Sequence, residues 1–214
     1  MNQISKNRYL ILGLTLLIPT LIIIHLFSGK IEVSLSDYFS SLFSYDESVS
    51  EQIIARNIRI PRMIMAVIAG AGLALSGLLM QTLFRNPLAG PFVLGISSGA
   101  SLGVAILILG ASFLGANITS YAFTNFGLAI AASLGAFLVL SAVMLAAIKV
   151  RNTMSILIIG LMFGSLTAAV IAVLVYFSEA TQIQQYLFWS FGSLGNLSWS
   201  ELSVFGSIYL LGVL

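Results

Sequence analysis

Three arginines, Arg56, Arg59 and Arg62, recur three residues apart in a chain of which only 7% is charged. Ahead of Pro61, a helical turn would set at least Arg56 and Arg59 on one face. A guanidinium offers a planar fork of N–H donors that fits a carboxylate bidentately, so the group suits an acidic partner. The same side chains could instead snorkel to lipid headgroups and anchor the chain. Residue type alone leaves both readings open. The single histidine, His25, has no Cys, His or carboxylate nearby in sequence. It falls short of the three or four ligands of a typical metal site and reads as an interfacial or hydrogen-bonded imidazole. There is no cysteine, hence no disulfide or thiolate site. No GxxxxGK[ST] occurs to cradle nucleotide phosphates. No cofactor is implied, no metal, no nucleic-acid partner and no enzymatic activity.

The elements that must hold these residues are membrane spans. Hydrophobic residues make up 59% of the chain, mean hydropathy is +1.07 and charged residues are only 7%, against about a quarter charged in ordinary soluble domains. Spans of roughly 20 apolar residues are expected at about 9–28, 63–84, 92–111, 122–148 and 154–177, with a sixth beginning near Leu202 and reaching Leu214 too soon to cross. The expected fold is therefore an all-α polytopic helical bundle, five complete spans and the start of a sixth, within one transmembrane domain over 1–214 that reads as truncated at its C-terminus. No Asp, Glu, Lys or Arg lies in the core of any of these spans, which argues against a proton relay or ion-coupled carrier. Energy for transport must come from a partner, or from nothing, as in a passive channel.

Charge sets the expected orientation. With the N-terminus in the cytoplasm, Lys6, Arg8, Arg85, Lys149 and Arg151 lie inside with no acid beside them, while Lys30, Arg56, Arg59, Arg62 and every Asp and Glu lie outside. Basic residues in short loops favour the inner side, so the three outer arginines run against the rule and call for a reason. The outer polar connection 29–62 is long enough to be functional, with a short helix expected to start at Ser36 or Asp37 by N-capping. After the fifth span, the aromatics of 178–201 suggest a short interfacial helix.

Small residues mark where helices approach. Ala66, Gly70 and Ala74 recur every fourth residue, as do Gly95, Gly99 and Gly103, and again Gly160, Gly164, Ala168 and Ala172. In lipid such patterns let backbones touch. Between the first two stripes, RNPLAGP places Asn86, Pro87 and Pro91, whose fixed φ and missing N–H groups break one helix and reset the next.

From Arg59 to Gly103 the chain reads RIPRMIMAVIAGAGLALSGLLMQTLFRNPLAGPFVLGISSGASLG. Its Arg59, Pro61 and Arg62, then Ser76, Gly77 and Gln81, Asn86 to Ala89, and Leu94, Gly95, Gly99 and Ala100 together resemble the permease subunit of bacterial ABC importers for iron-siderophores, haem and vitamin B12. The resemblance implies a ten-span permease of the cytoplasmic membrane, of which this is the first half. It implies a homodimer around a central path, cytoplasmic ATP-binding subunits as the energy source, and a substrate-binding protein that docks at Arg59 and Arg62. It assigns a cytoplasmic gate to Asn86, Pro87 and Leu88 and to Thr153 and Met154, with Met154 departing from the small polar residue of the B12 relative. It makes the fifth span, with Gly160, Gly164 and Ala168, a liner of the path, and Gly70, Gly95, Gly99 and Gly103 packing positions. A passive channel or secondary carrier is the rival class.

Overall fold

The computed structural model describes residues 3–111, 123–150, 152–195 and 197–214. The loop expected at 112–121, Arg151, and the side chain of Thr153 lie outside what it describes. Every regular element among the described residues is helical, and four helical stretches are long and apolar enough to cross a bilayer: Asn7–Phe27, Ser50–Phe84, Asn125–Ala147 and Met154–Tyr176. Contacts divide the chain into two units, residues 1–71 with 194–214, and residues 72–193.

In the first unit, α1 (Gln3–Phe27) is apolar on all sides and contains Pro19. Residues 7–21 are all exposed, a pattern that suits a hydrocarbon surround. Thr15 and Thr20 return their hydroxyl protons to the carbonyls of Ile11 and Leu16, both at 2.8 Å, so neither polar group is left bare. α2 (Leu35–Phe43) starts slightly earlier than expected, at the N-cap Ser34. Asp37 is not the cap but the third helical residue, accepting the Ser34 N–H at 3.0 Å while its own N–H reaches Ser34 Oγ. This reciprocal pair satisfies two orphan donors at the helix start.

α3 (Ser50–Ile54) runs through a π-helical turn, Ala55–Arg59, into α4 (Ile60–Phe84). The widened turn, with the Ile60 N–H bonded to the Ala55 carbonyl, directly precedes Pro61, which brings no N–H of its own. The expected loop 29–62 is thus largely helical, and its second half is continuous with the second span. Val33, Tyr38, Ala55 and Ile60 form the buried cluster here, with Leu26, Ile54 and Ile64 packed on it. α9 (Trp199–Val213) is capped by Ser198 and Glu201 in the same reciprocal way as α2, and Trp199 Nε1 donates to the Arg56 carbonyl at 3.1 Å.

In the second unit, α4 ends at Phe84 and Arg85 turns into the left-handed region at φ 47°. Asn86 then accepts the Leu88 N–H on its side-chain oxygen at 2.9 Å, an Asx turn. A 3-10 turn, Pro91–Leu94, follows with Pro91 at its first position, and Gly95 at φ 77° separates it from α5 (Ile96–Ile108). Within the third expected span, 92–111, the first turn is therefore 3-10 rather than α, and an α-helix of 13 residues, rising about 20 Å, begins only after the left-handed glycine. α6 (Asn125–Ala147) and α7 (Thr153–Tyr176) are full-length, and α8 (Ala180–Phe191) is the short aromatic-bearing helix expected after the fifth span.

α5 and α6 meet backbone to backbone. A Cβ at Gly99 would stand 2.6 Å from the Gly135 carbonyl oxygen, and one at Gly103 or Gly135 would overlap the facing main chain outright. Around this seam lie two buried clusters. Phe84, Ala89, Leu94, Val139, Val143 and Leu157 form one; Val104, Ala105, Ile108 and Leu109 form the other, with Tyr186 and Trp189 of α8 packed on it.

Candidate functional site

The structure separates the two arginines that the sequence paired. Arg59 is 8% exposed. Its Nη1 donates to the carbonyl of Leu26 at 2.5 Å and to the Tyr38 hydroxyl at 3.3 Å, and its Nη2 donates to the carbonyl of Ile31. Tyr38 O–H also donates to the Leu26 carbonyl. Leu26 is in the last turn of α1, where carbonyls have no intrahelical donor, so Arg59 caps that helix from 33 positions away and complements its dipole. Both terminal nitrogens of Arg59 thus donate to main-chain carbonyls, those of Leu26 and Ile31. Arg62, one turn on, is exposed and makes no hydrogen bond among the described residues. Arg56 is half-buried, its guanidinium carbon 4.3 Å above the ring of Tyr45, a cation–π contact. Nearby in sequence, Asp46 accepts the N–H and hydroxyl of Ser48, which hold its carboxyl below the usual carboxylate range.

At the other expected site, Asn86 and Met154 come together, with Asn86 Nδ2 3.7 Å from the Met154 sulfur. Asn152 caps α7 by accepting the Met154 N–H at 3.0 Å, which fixes where that sulfur begins. Pro87 and Leu88 are exposed, Leu88 at 85%, and neither is drawn into this contact. Thr153 opens α7.

The glycines divide by environment. Gly99 and Gly103 of α5 pack against α6; a Cβ at Gly70 would have nothing within 4 Å among the described residues; Gly95 takes the left-handed conformation, and a Cβ there would stand 3.1 Å from Val139 Cγ1 and 3.4 Å from the Gly160 carbonyl oxygen. Gly160 packs its α-carbon against the backbone of Val93 and Leu94 in the 3-10 turn. Gly164 is near Ser98, with room for a methyl at 3.6 Å from its Oγ. Ala168 lines an open recess of about 310 Å³ together with Ser98, Ser101, Thr167, Ile171 and Tyr186. Ser98 and Thr167 donate to the carbonyls of Gly95 and Gly164, so their hydroxyls keep only lone pairs for anything seated there.

Sequence reasoning missed Gly29, Tyr38 and Gly135. Gly135 carried a signal, since Gly127, Ala131 and Gly135 repeat every fourth residue. His25 keeps a buried Nε2 with no hydrogen-bond partner among the described residues. Among those residues there is also no group of three His, Cys, Asp or Glu side chains placed to hold a metal ion.

Membrane-length apolar helices, a proline-broken turn and close glycine seams define a polytopic helical membrane protein. The description of the FecCD transport family matches residues 15–214, and the chain belongs to that family. It is similar to the hemin transport system permease HmuU of Yersinia pestis, 36% identical over 94% of this chain and 58% of the relative. It is 32% identical to the vitamin B12 import permease BtuC of Klebsiella pneumoniae over 94% of this chain and 56% of that protein. The molybdate import permease MolB of Haemophilus influenzae is 30% identical over 94% and 59%. A solved inward-facing structure of an ABC transporter described as of metal-chelate type superposes with a TM-score of 0.74 at 29% identity, covering 95% of this chain and 59% of that one. The chain thus spans under two thirds of the length of these relatives.

Proposed function

We propose that this chain forms part of the translocation subunit of an ABC importer that carries an iron chelate, a siderophore or haem, or a cobalamin across the bacterial cytoplasmic membrane. The observation that carries the reading is the family match over 15–214, joined to a fold likeness that covers 95% of the chain. Two physical features support it. The apolar cores of α1, α4, α6 and α7 hold no Asp, Glu, Lys or Arg, so these spans offer no intramembrane proton or ion relay, which favours ATP-binding partners over an ion-coupled carrier as the source of work. The short α5, seated on α6 and preceded by a left-handed glycine, is a broken element of the kind that lines a protein-enclosed path rather than facing lipid.

In this reading the N-terminus is cytoplasmic and two copies pair around the path. The Asn86–Met154 contact narrows the inner end, and Gly164 and Ala168 border the path. The substrate-binding protein meets the outer face at Arg62. A chelate that keeps its own metal needs shape and a few hydroxyl acceptors from such a path, not a ligand set. Uptake into proteoliposomes tests the reading, with the protein at its relatives' full length and its ATPase and binding protein supplied. ATP-dependent accumulation of haem, a ferric siderophore or cobalamin is expected. Accumulation without ATP would replace it with a passive channel, and accumulation of molybdate alone would move the substrate class to oxyanions.

A further inference from the structure

We propose that Trp199 is a positioning residue, a latch whose indole N–H holds the head of the second span in its π-helical register and ties that register to the start of α9. The latch turns on one carbonyl, that of Arg56. In an α-helical turn it would take the N–H four residues on, at Ile60, but the Ile60 N–H goes to the Ala55 carbonyl. In a π-helical turn it would take the N–H five residues on, at Pro61, where proline has none. The Arg56 carbonyl is therefore left without either helical donor, and Trp199 Nε1 supplies one at 3.1 Å from 143 positions away.

The other register shows why a donor at position 199 matters. If the turn tightened to α, the Ile60 N–H would pass to Arg56 and the unmet acceptor would become the Asn57 carbonyl, four residues before Pro61, with which the proline ring also clashes. The widened turn avoids that clash and moves the unmet acceptor to Arg56, where the indole satisfies it. Proline disfavours one register, and Trp199 completes the other. The two differ by one residue of helical phase, roughly 100° of rotation, so the latch sets which face of Ser50–Arg59 is turned to α2 as the chain runs on into α4. The reciprocal cap of Ser198 and Glu201 starts α9 at Trp199 itself, so the indole is carried by the first residue of a helix and follows any movement of it. π-Helical turns occur frequently at functional sites. Withdrawal of α9 would break this bond, release the turn to α and rotate Ser50–Arg59 against α4. None of this depends on what the chain carries, so the latch and the importer reading can fail separately.

Spin labels on Phe43→Cys in α2 and Val67→Cys in α4, both exposed positions, report the register in the otherwise cysteine-free chain reconstituted in lipid. A single narrow distance distribution is expected with Trp199 in place. Trp199→Phe keeps an aromatic ring but has no N–H to donate, and should shift the distribution or add a second population. Pro61→Ala gives the helix a donor of its own, so Trp199→Phe made in that background should change nothing further. Such coupling between positions 61 and 199 is not what loss of packing at Trp199 alone would produce. Hydrogen exchange gives a readout that needs neither variant. With Trp189→Phe leaving one indole in the chain, the Trp199 indole N–H should exchange at least about tenfold more slowly than that of a short tryptophan peptide, as a closed hydrogen bond requires. An unchanged distribution in Trp199→Phe, the same change with and without Pro61, or exchange at the peptide rate would overturn the proposal.

Discussion

Gly29 and Arg59 fit each other as surface and occupant: the guanidinium carbon lies where it would be 3.0 Å from any β-carbon at position 29. Thirty residues apart in sequence, the pair closes the outer connection of the first unit into a loop tied by hydrogen bonds rather than by an ion pair. Its stability should therefore be insensitive to salt, because the acceptors are carbonyls and not charges.

Removing the donor fork should be costly. Arg59→Gln leaves the Leu26 and Ile31 carbonyls short of donors, and a buried acceptor without a partner costs about 1–3 kcal/mol. Thermal unfolding in detergent is expected to shift down by several degrees for Arg59→Gln and hardly at all for Arg62→Gln. Equal shifts would mean that the burial of Arg59 contributes nothing.

The glycine stripes give a contrast within one chain. Gly99→Leu drives a side chain into the main chain of α6, and overpacking of this kind typically costs about 1–3 kcal/mol; here the facing atom is backbone, which cannot rotate away. Gly70 has open space around it, so Gly70→Leu should express at normal yield where Gly99→Leu does not. Size-exclusion profiles of the two variants decide it, and matching profiles would place Gly99 away from α6.

Much of the fold could be read from hydropathy, since a run of apolar residues long enough to cross a membrane has few alternatives. The break before α5 could be read only in part. Pro91 announced a reset, but nothing in the spacing of Gly95, Gly99 and Gly103 said that the first would also adopt a left-handed turn. The site was harder. Arginine types and spacing left a carboxylate partner and a lipid anchor both open, and could not show that Arg59 donates to the carbonyls of Leu26 and Ile31, groups that every residue carries and no pattern distinguishes. Gly29 gave no warning for the same reason: its value lies in an atom it lacks, against a residue far away in sequence.

Topology has a direct test. Basic residues without acids around Lys149 and the acid-rich stretch around Asp46 set opposite sides. In the cysteine-free chain, a cysteine replacing Asp46 should react with an impermeant maleimide from outside the cell. One replacing Lys149 should react only after lysis. The reverse pattern would invert the orientation and with it the outward placing of Arg62.

Docking is the prediction with the widest consequence, and it concerns the protein at its relatives' full length together with its binding protein. If Arg62 meets a carboxylate, Arg62→Glu puts like charge across the interface, a juxtaposition that costs several kcal/mol, so affinity should fall by at least about a hundredfold. Arg62→Lys keeps the charge but loses the bidentate fork, and should fall in between. Steering between exposed charges is screened beyond about 8 Å at physiological ionic strength, so association of the unsubstituted pair should slow as salt rises, and that dependence should weaken in Arg62→Gln. Arg59→Gln separates position from charge: if its guanidinium acts only through the outer connection, the variant should bind more weakly overall yet keep the salt dependence of the unsubstituted protein. A salt dependence lost with Arg59 and retained without Arg62 would return the docking role to the buried arginine.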